Sequence, residues 1–182
     1  LATGAEPLVP PIEGLADVEY VTSDTIWELQ EVPERFAVLG GGPIGCELAQ
    51  AFARLGSKVT VIEMADRLVP REDPDASEAL MKRLEAEGVT LATGHKASRF
   101  QAGEDGAEKV VCEHSDGEAT IEFDRVLVAL GRKARTKGFG LDELGVQIAD
   151  QGTIQTDPWL RTNFQNIYVC GDAAGPYQFT NV

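Results

Sequence analysis

Cysteine is scarce in this sequence of 182 residues, and its three copies, Cys46, Cys112 and Cys170, lie far apart. No two of them form a C-x-x-C or C-x-x-x-x-C pair. An odd and widely spaced set argues against the disulfide framework of a secreted protein. We therefore expect three free thiols that pack as small, semi-buried hydrophobic side chains, in a protein of the reducing cytoplasm.

Long apolar runs and basic residues are also lacking. No apolar run approaches the roughly 20 residues that span a bilayer, so we expect no membrane partner. The start, Leu1 to Gly4, has neither a signal-peptide pattern nor a Met, which suggests a processed chain or an excised piece. Only 16 Lys and Arg face 30 Asp and Glu, a net charge of -14. So acidic a surface repels phosphates, and we expect no nucleic-acid partner.

The residues between positions 36 and 63 change from strand pattern to helix pattern and back. Phe36–Leu39 is a short apolar run typical of a buried parallel strand. From Pro43 to Leu55 apolar residues recur every three or four positions, which predicts a helix that begins at Pro43 and stops at Gly56. Lys58–Glu63 predicts a second strand, and this strand ends in an acid.

The rest of the chain extends this pattern into an α/β fold. Residues 1–14 are rich in proline and predict a loop. Further elements are predicted as a helix from about Asp73 to Glu87, a strand at 89–91, three antiparallel strands within 96–124 with turns at 103–106 and 115–117, and apolar strands at 126–130 and 167–170. The predicted fold is a Rossmann-like parallel sheet that carries an antiparallel β-meander as an insert.

The glycines between the first strand and its helix form a G-x-G-x-x-G pattern at Gly40, Gly42 and Gly45. In such a loop the first glycine allows the tight turn, the second lets a pyrophosphate approach the backbone, and the third lets the helix pack on the strand. The phosphates then lie at the positive end of the helix. We predict a dinucleotide site formed by Gly40, Gly42, Pro43, Ile44 and Gly45.

The acid at the end of the second strand indicates which dinucleotide binds. Glu63 follows Gly45 by 18 residues, and an acid at this strand end accepts hydrogen bonds from the adenosine ribose and repels a 2′-phosphate. Arg67 is the first basic side chain beyond it. The pattern favours NADH over NADPH.

Four segments in order resemble the flavin-dependent pyridine nucleotide-disulfide oxidoreductases, the family of dihydrolipoamide dehydrogenase and mercuric reductase. These are Ala2-Thr3-Gly4, the stretch from Gly40 to Glu47, Ala129-Leu130-Gly131-Arg132, and Thr162 to Asp172. In addition, Arg71-Glu72-Asp73-Pro74 is similar to the mercuric reductase form of its segment. The resemblance covers nearly the whole chain.

The resemblance implies roles for three further residues. Glu47 would help to position the nicotinamide ring and the flavin edge, Gly131 would let the chain pass close to the nicotinamide, and Asp172 would bind the ribityl hydroxyls of FAD. It implies that residues 1–19 are a remnant of an FAD domain, 20–134 the NAD-binding domain, and 135–182 an incomplete second part of the FAD domain. His95 and His114 lie outside every motif and are expected on the surface, and no metal site is predicted.

The family's glycine loop for FAD, its redox-active cysteine pair and its C-terminal interface domain are not found in this sequence. We therefore interpret the chain as an internal piece that holds NAD(H), within a parent enzyme that is implied to be a homodimer. The parent would pass hydride from NADH through FAD to a disulfide or related acceptor, while the chain alone would be nearly inactive. The alternatives are a flavin NADH oxidase or quinone-type reductase, and a non-catalytic NAD-binding or redox-sensing module.

Overall fold

The computed structural model describes residues 1–102 and 107–175. The strands within these ranges are β1 (Ala5–Pro7), β2 (Tyr20–Thr22), β3 (Arg35–Leu39), β4 (Lys58–Glu63), β5 (Thr90–Thr93), β6 (Lys96–Ala102), β7 (Glu108–His114), β8 (Gly117–Phe123), β9 (Arg125–Val128) and β10 (Arg132–Ala134). The α-helices are α1 (Pro43–Arg54), α2 (Pro74–Ala86) and α3 (Leu141–Leu144). Backbone contacts divide the chain into two units, residues 9–131 and residues 1–8 with 132–175.

The larger unit, residues 9–131, is built on a five-stranded parallel sheet. Its strand order is β2-β9-β3-β4-β5, so the strand that precedes α1 lies in the centre. Alternate side chains of β3 enter two different clusters, with Phe36 and Val38 in one and Ala37 and Leu39 in the other. Both faces of β3 are therefore covered, and this explains why its sequence is a continuous apolar run.

The two faces of the parallel sheet are covered by different elements. Helices α1 and α2 contribute Cys46, Ala49 and Leu84 to the cluster on one face. The antiparallel meander β6-β7-β8 contributes Phe100 and Phe123 to the other, with their rings in edge contact at a centroid distance of 5.8 Å. These layers confirm the predicted Rossmann-like sheet with a β-meander insert. The predicted turn at 115–117 joins β7 to β8, whereas the one at 103–106 lies outside the described residues.

The smaller unit, residues 1–8 and 132–175, corrects two predictions. The predicted N-terminal loop contains β1, which pairs antiparallel with β10, because a two-stranded ribbon has edges that tolerate Pro7. The run at 167–170 is not a strand: among the described residues Tyr168 makes one isolated bridge to Arg161. Its apolar character has another cause, since Val169 is buried in a cluster with Leu141, Val146, Ile154 and Ala173.

The cysteine and histidine side chains lie only in part where the sequence predicts them. Cys46 and Cys112 are buried free thiols, whereas Cys170 is exposed, contrary to the expected semi-buried position. His95 and His114 are partly buried, not simply on the surface, and their rings stack at a centroid distance of 4.3 Å. In the described ranges, no helix is long and apolar enough to cross a membrane, and no cluster of three or more His, Cys, Asp and Glu side chains could hold a metal ion.

Candidate dinucleotide-binding site

The candidate site begins where β3 ends in the middle of the parallel sheet. Gly40 has a φ of +103°, and a Cβ at this position would lie 2.4 Å from the carbonyl oxygen of Ala129. The Ala129 N–H donates to the Leu39 carbonyl at 2.8 Å, which keeps the two strand ends together. Only glycine satisfies both the left-handed backbone and the close approach of this neighbouring chain.

Gly42 and Gly45 differ in what surrounds them. A Cβ on Gly42 would meet no atom within 4 Å, and the residue precedes α1 in extended conformation with φ of -74° and ψ of 179°. A Cβ on Gly45 would lie 2.0 Å from the carbonyl oxygen of Gly40 and 3.3 Å from Cγ1 of Val38. Gly45 therefore lets α1 pack closely on β3, while open space lies beside Gly42.

The first turn of α1 offers backbone donors to this open space. Pro43 has no N–H. The N–H groups of Gly42, Ile44 and Gly45 have no hydrogen-bond acceptor within the described residues. The first N–H groups of any helix lack an intrahelical partner, and the helix dipole makes this end positive. The loop and the first turn of α1 thus form an environment suited to a phosphate.

Gly41 is a residue whose role the sequence did not predict. Its N–H donates to Oε2 of Glu63 at 2.7 Å. Its carbonyl accepts from the Val69 N–H at 2.7 Å and from the Cys46 thiol at an S···O distance of 3.3 Å. A Cβ on Gly41 would lie 2.5 Å from Cδ2 of the buried Leu68. The only sequence signal of this position is that it completes three consecutive glycines.

Glu63 lies at the end of β4, half-buried beside the glycine loop. While Oε2 binds Gly41, Oε1 accepts from the Ala65 N–H at 2.8 Å. A carboxylate has about four lone-pair positions, so each oxygen can still accept a hydroxyl. Arg67 donates from Nη2 to the Pro70 carbonyl at 2.9 Å, which folds its guanidinium back onto its own loop.

Glu47 and Gly131 are the two further residues to which the family resemblance gives a role near the nicotinamide. Glu47 is exposed on the first turns of α1, and within the described residues its carboxylate has no hydrogen-bonding or ionic partner. Gly131 follows β9 with a φ of +113°.

Burial, reinforced by the carboxylates of Glu63 and Glu47, raises the pKa of the Cys46 thiol to about 11. That thiol is protonated at neutral pH and is available as a donor to Gly41.

Asp172 lies in the smaller unit, within a single 3-10 turn at Gly171–Ala173. Its Oδ2 is 3.5 Å from Nε of Arg132, which also donates from Nη2 to the Ala5 carbonyl at 2.9 Å. The side chains of Asp172 and Arg132 are 26% and 19% exposed. Carboxylate oxygens accept hydrogen bonds from hydroxyl groups.

Comparison with known proteins agrees with this arrangement of elements. The family model described as pyridine nucleotide-disulphide oxidoreductase matches residues 1–182. A mercuric reductase of Acidithiobacillus ferrooxidans is 42% identical over 182 residues, which are 100% of this chain and 32% of that protein. A dihydrolipoyl dehydrogenase of Bacillus subtilis (strain 168) is 38% identical over 181 residues, 100% of this chain and 39% of that protein.

Among solved structures, the HOCl-induced flavoprotein disulfide reductase RclA from Escherichia coli superposes with a TM-score of 0.88. It is 34% identical, and the match covers 98% of this chain and 40% of that one. The chain therefore belongs to the pyridine nucleotide-disulphide oxidoreductase family, as its motifs predicted. It spans about a third of the length of the curated mercuric reductases that it matches.

Proposed function

We propose that this chain is the NADH-binding portion of a flavin-dependent oxidoreductase that passes hydride from NADH through FAD to a disulfide or related acceptor. The observation that carries the proposal is the open space at Gly42, together with the N–H groups of Gly42, Ile44 and Gly45, which have no acceptor within the described residues. A pyrophosphate is the group that such a backbone cradle at a helix N-terminus recognises. Family membership supports the same reading of the loop.

We assign NADH in preference to NADPH because of Glu63. Its carboxylate lies beside the loop, where the adenosine ribose of a bound dinucleotide would follow the pyrophosphate. A carboxylate there accepts from the 2′-hydroxyl and repels a 2′-phosphate. Arg67, the nearest basic side chain along the chain, is bonded to the Pro70 carbonyl. Glu47 and Gly131 are proposed to lie on the nicotinamide side of the same loop.

The flavin-binding part of the proposal rests on Asp172, whose pairing with Arg132 fits a ribityl hydroxyl acceptor. When the two cofactors are bound, the nicotinamide supplies the hydride and the flavin relays it to the acceptor. We propose that residues 1–19 and 135–182 belong to the FAD domain and residues 20–134 form the NAD-binding domain. A homodimeric parent and a cytoplasmic location remain part of this proposal.

Competitive titration of the wild-type chain tests the nucleotide assignment. NADH and NADPH are titrated separately by calorimetry, and each is then used to displace the other. We expect NADH to bind about ten- to a hundredfold more tightly, the factor that corresponds to one hydrogen bond to a charged group. Equal affinities would overturn the NADH assignment while leaving the dinucleotide site, and no binding of either would overturn the site itself.

A further inference from the structure

We propose that Glu63 is a positioning residue for the phosphate-binding loop, acting through Gly41, in addition to its contact with the ribose. The inference rests on the proposed function, since it concerns the same nucleotide site. It assigns to Glu63 a contribution to the binding of the pyrophosphate itself. It also gives a role to Gly41.

Both backbone polar groups of Gly41 are hydrogen-bonded within the protein. Its N–H is bonded to Glu63 at 2.7 Å, and its carbonyl to the Val69 N–H at 2.7 Å and the Cys46 thiol at 3.3 Å. Leu68 and the side-chain carbons of Glu63 fill the space that a Cβ on Gly41 would need. We call Glu63, Val69 and Cys46 the Gly41 clamp. A residue bonded at both of its backbone polar groups has little freedom to rotate.

The second observation concerns the peptide that joins Gly41 to Gly42. A trans peptide is planar, so its carbonyl and its N–H point in opposite directions. The clamp fixes the Gly41 carbonyl toward Val69 and Cys46 in the protein. The Gly42 N–H must then point the other way. Within the described residues this N–H has no acceptor, and the space around Gly42 is open.

The clamp therefore prepares a donor for the phosphate before any nucleotide binds. Glycine loops have many backbone conformations available, and fixing one of them in advance lowers the entropy lost on binding. Glu63 is the one charged member of the clamp. Its negative charge disfavours an anionic ligand, but its bonds to the N–H groups of Gly41 and Ala65 neutralise part of that charge. In this proposal the positioning effect exceeds the repulsion.

Two nucleotides separate the loop effect from the ribose effect. ADP carries the pyrophosphate and the ribose hydroxyls, whereas 2′,3′-dideoxy-ADP carries the pyrophosphate and no ribose hydroxyl. In Glu63→Gln the amide has one acceptor oxygen, and its NH2 group faces one of the two backbone N–H donors, so the clamp is broken. The full 182-residue chain is titrated with each nucleotide by calorimetry. Glu85→Gln, at an exposed acid of α2, is the matched control for loss of one charge.

We expect Glu63→Gln to bind 2′,3′-dideoxy-ADP about tenfold more weakly than the wild type, and ADP more weakly still. Glu85→Gln should bind both as the wild type does. Glu63→Asp retains the charge, but its side chain is one methylene shorter and cannot reach Gly41 and Ala65 together. It should also lose affinity for both nucleotides. Far-ultraviolet circular dichroism without nucleotide identifies any variant that does not fold.

The outcomes distinguish the clamp from the site on which it depends. If the wild type binds both nucleotides and the Glu63 variants lose affinity for ADP alone, the carboxylate acts on the ribose only, and the clamp proposal is overturned. Tighter binding of 2′,3′-dideoxy-ADP by Glu63→Gln would also overturn it, since repulsion would then exceed positioning. If the wild type binds neither nucleotide, both the clamp and the proposed function fail.

Discussion

Gly42 is the residue at which the proposed ligand and a side chain compete most directly for space. Because a Cβ there meets no protein atom within 4 Å, and the backbone is extended, Gly42→Val should fold normally. The valine would occupy the space that a pyrophosphate needs. We expect NADH affinity to fall at least a hundredfold, with an unchanged circular dichroism spectrum and little change in Tm.

Ala51→Val is the matched control for Gly42→Val. It adds the same kind of side chain to an exposed position on the same helix, α1, two turns further along. This variant should bind NADH as the wild type does. If Gly42→Val still bound NADH with wild-type affinity, the phosphates would have to lie elsewhere in the protein.

The residues of the candidate site differ in how far the sequence could predict them. Gly40, Gly42, Gly45 and Glu63 were predicted because their spacing along the chain follows directly from a strand-turn-helix-strand unit. The hydrogen bonds of Gly41 could not be predicted in this way. They depend on where the loop after β4 packs, and that packing is decided by the burial of Leu68 rather than by any local pattern.

Among the elements, α1 and α2 are joined by Glu87, which follows the C-terminus of α2. Its Oε2 accepts from Nε of Arg54 on α1 at 2.6 Å, and its Oε1 lies 2.5 Å from Nε of Arg83 on α2. The Gln50 amide donates to Oε1 at 3.1 Å. The hydrogen bond from Arg54, followed by that from Arg83, lowers the pKa of Glu87 to about 2. Its side chain is 13% exposed, so this pair of helices shares a largely covered carboxylate.

Glu87→Gln should therefore lower the Tm at pH 7, with a pH dependence of definite sign. The folded pKa of Glu87 lies below its ordinary value of 4.5, so the ionised group stabilises the fold above pH 4.5, and this contribution disappears as the pH falls to about 2. The difference in Tm between wild type and variant should be largest near neutral pH and shrink across that interval. Thermal unfolding in a series of buffers measures it.

Glu85→Gln again serves as the control, because it removes one carboxylate at an exposed position in α2, two residues before Glu87. It should leave the Tm close to that of the wild type at every pH. A Tm difference for Glu87→Gln that persisted unchanged down to pH 2 would show that the variant acts through packing and not through the ionised group.

The secondary-structure elements differ in whether the local sequence determines them. β3, α1, β4 and the meander were predicted because glycine turns and apolar periodicity mark them within a few residues. β1, β2 and β10 each have three residues, and each exists because of a partner far away in the chain, as Ala5 pairs with Ala134. Conversely, the apolar run at 167–170 has the composition of a strand, but it packs through Val169, and its one bridge among the described residues is isolated.

At the scale of the whole molecule, charge sets a condition on the proposed ligand. The chain carries a net charge of -14, and a dinucleotide is itself an anion. Binding therefore requires a local region of opposite potential within an acidic surface. The N-terminus of α1, whose first N–H groups have no acceptor in the described part of the chain, provides one through backbone dipoles that do not depend on lysine or arginine.

The two units of the chain should also differ in what they hold when the 182-residue chain is produced alone. The larger unit contains the complete glycine loop and Glu63, whereas the flavin candidate in the smaller unit is Asp172 with its partner Arg132. A single carboxylate gives few of the contacts that tight cofactor binding needs. We expect the purified chain to bind NADH in calorimetry and to be colourless. A visible spectrum, and analysis of the supernatant after denaturation for released FAD, would measure this. Recovery of one FAD per chain would show that residues 1–182 hold the flavin by themselves, contrary to the assignment of this chain to the NADH-binding portion.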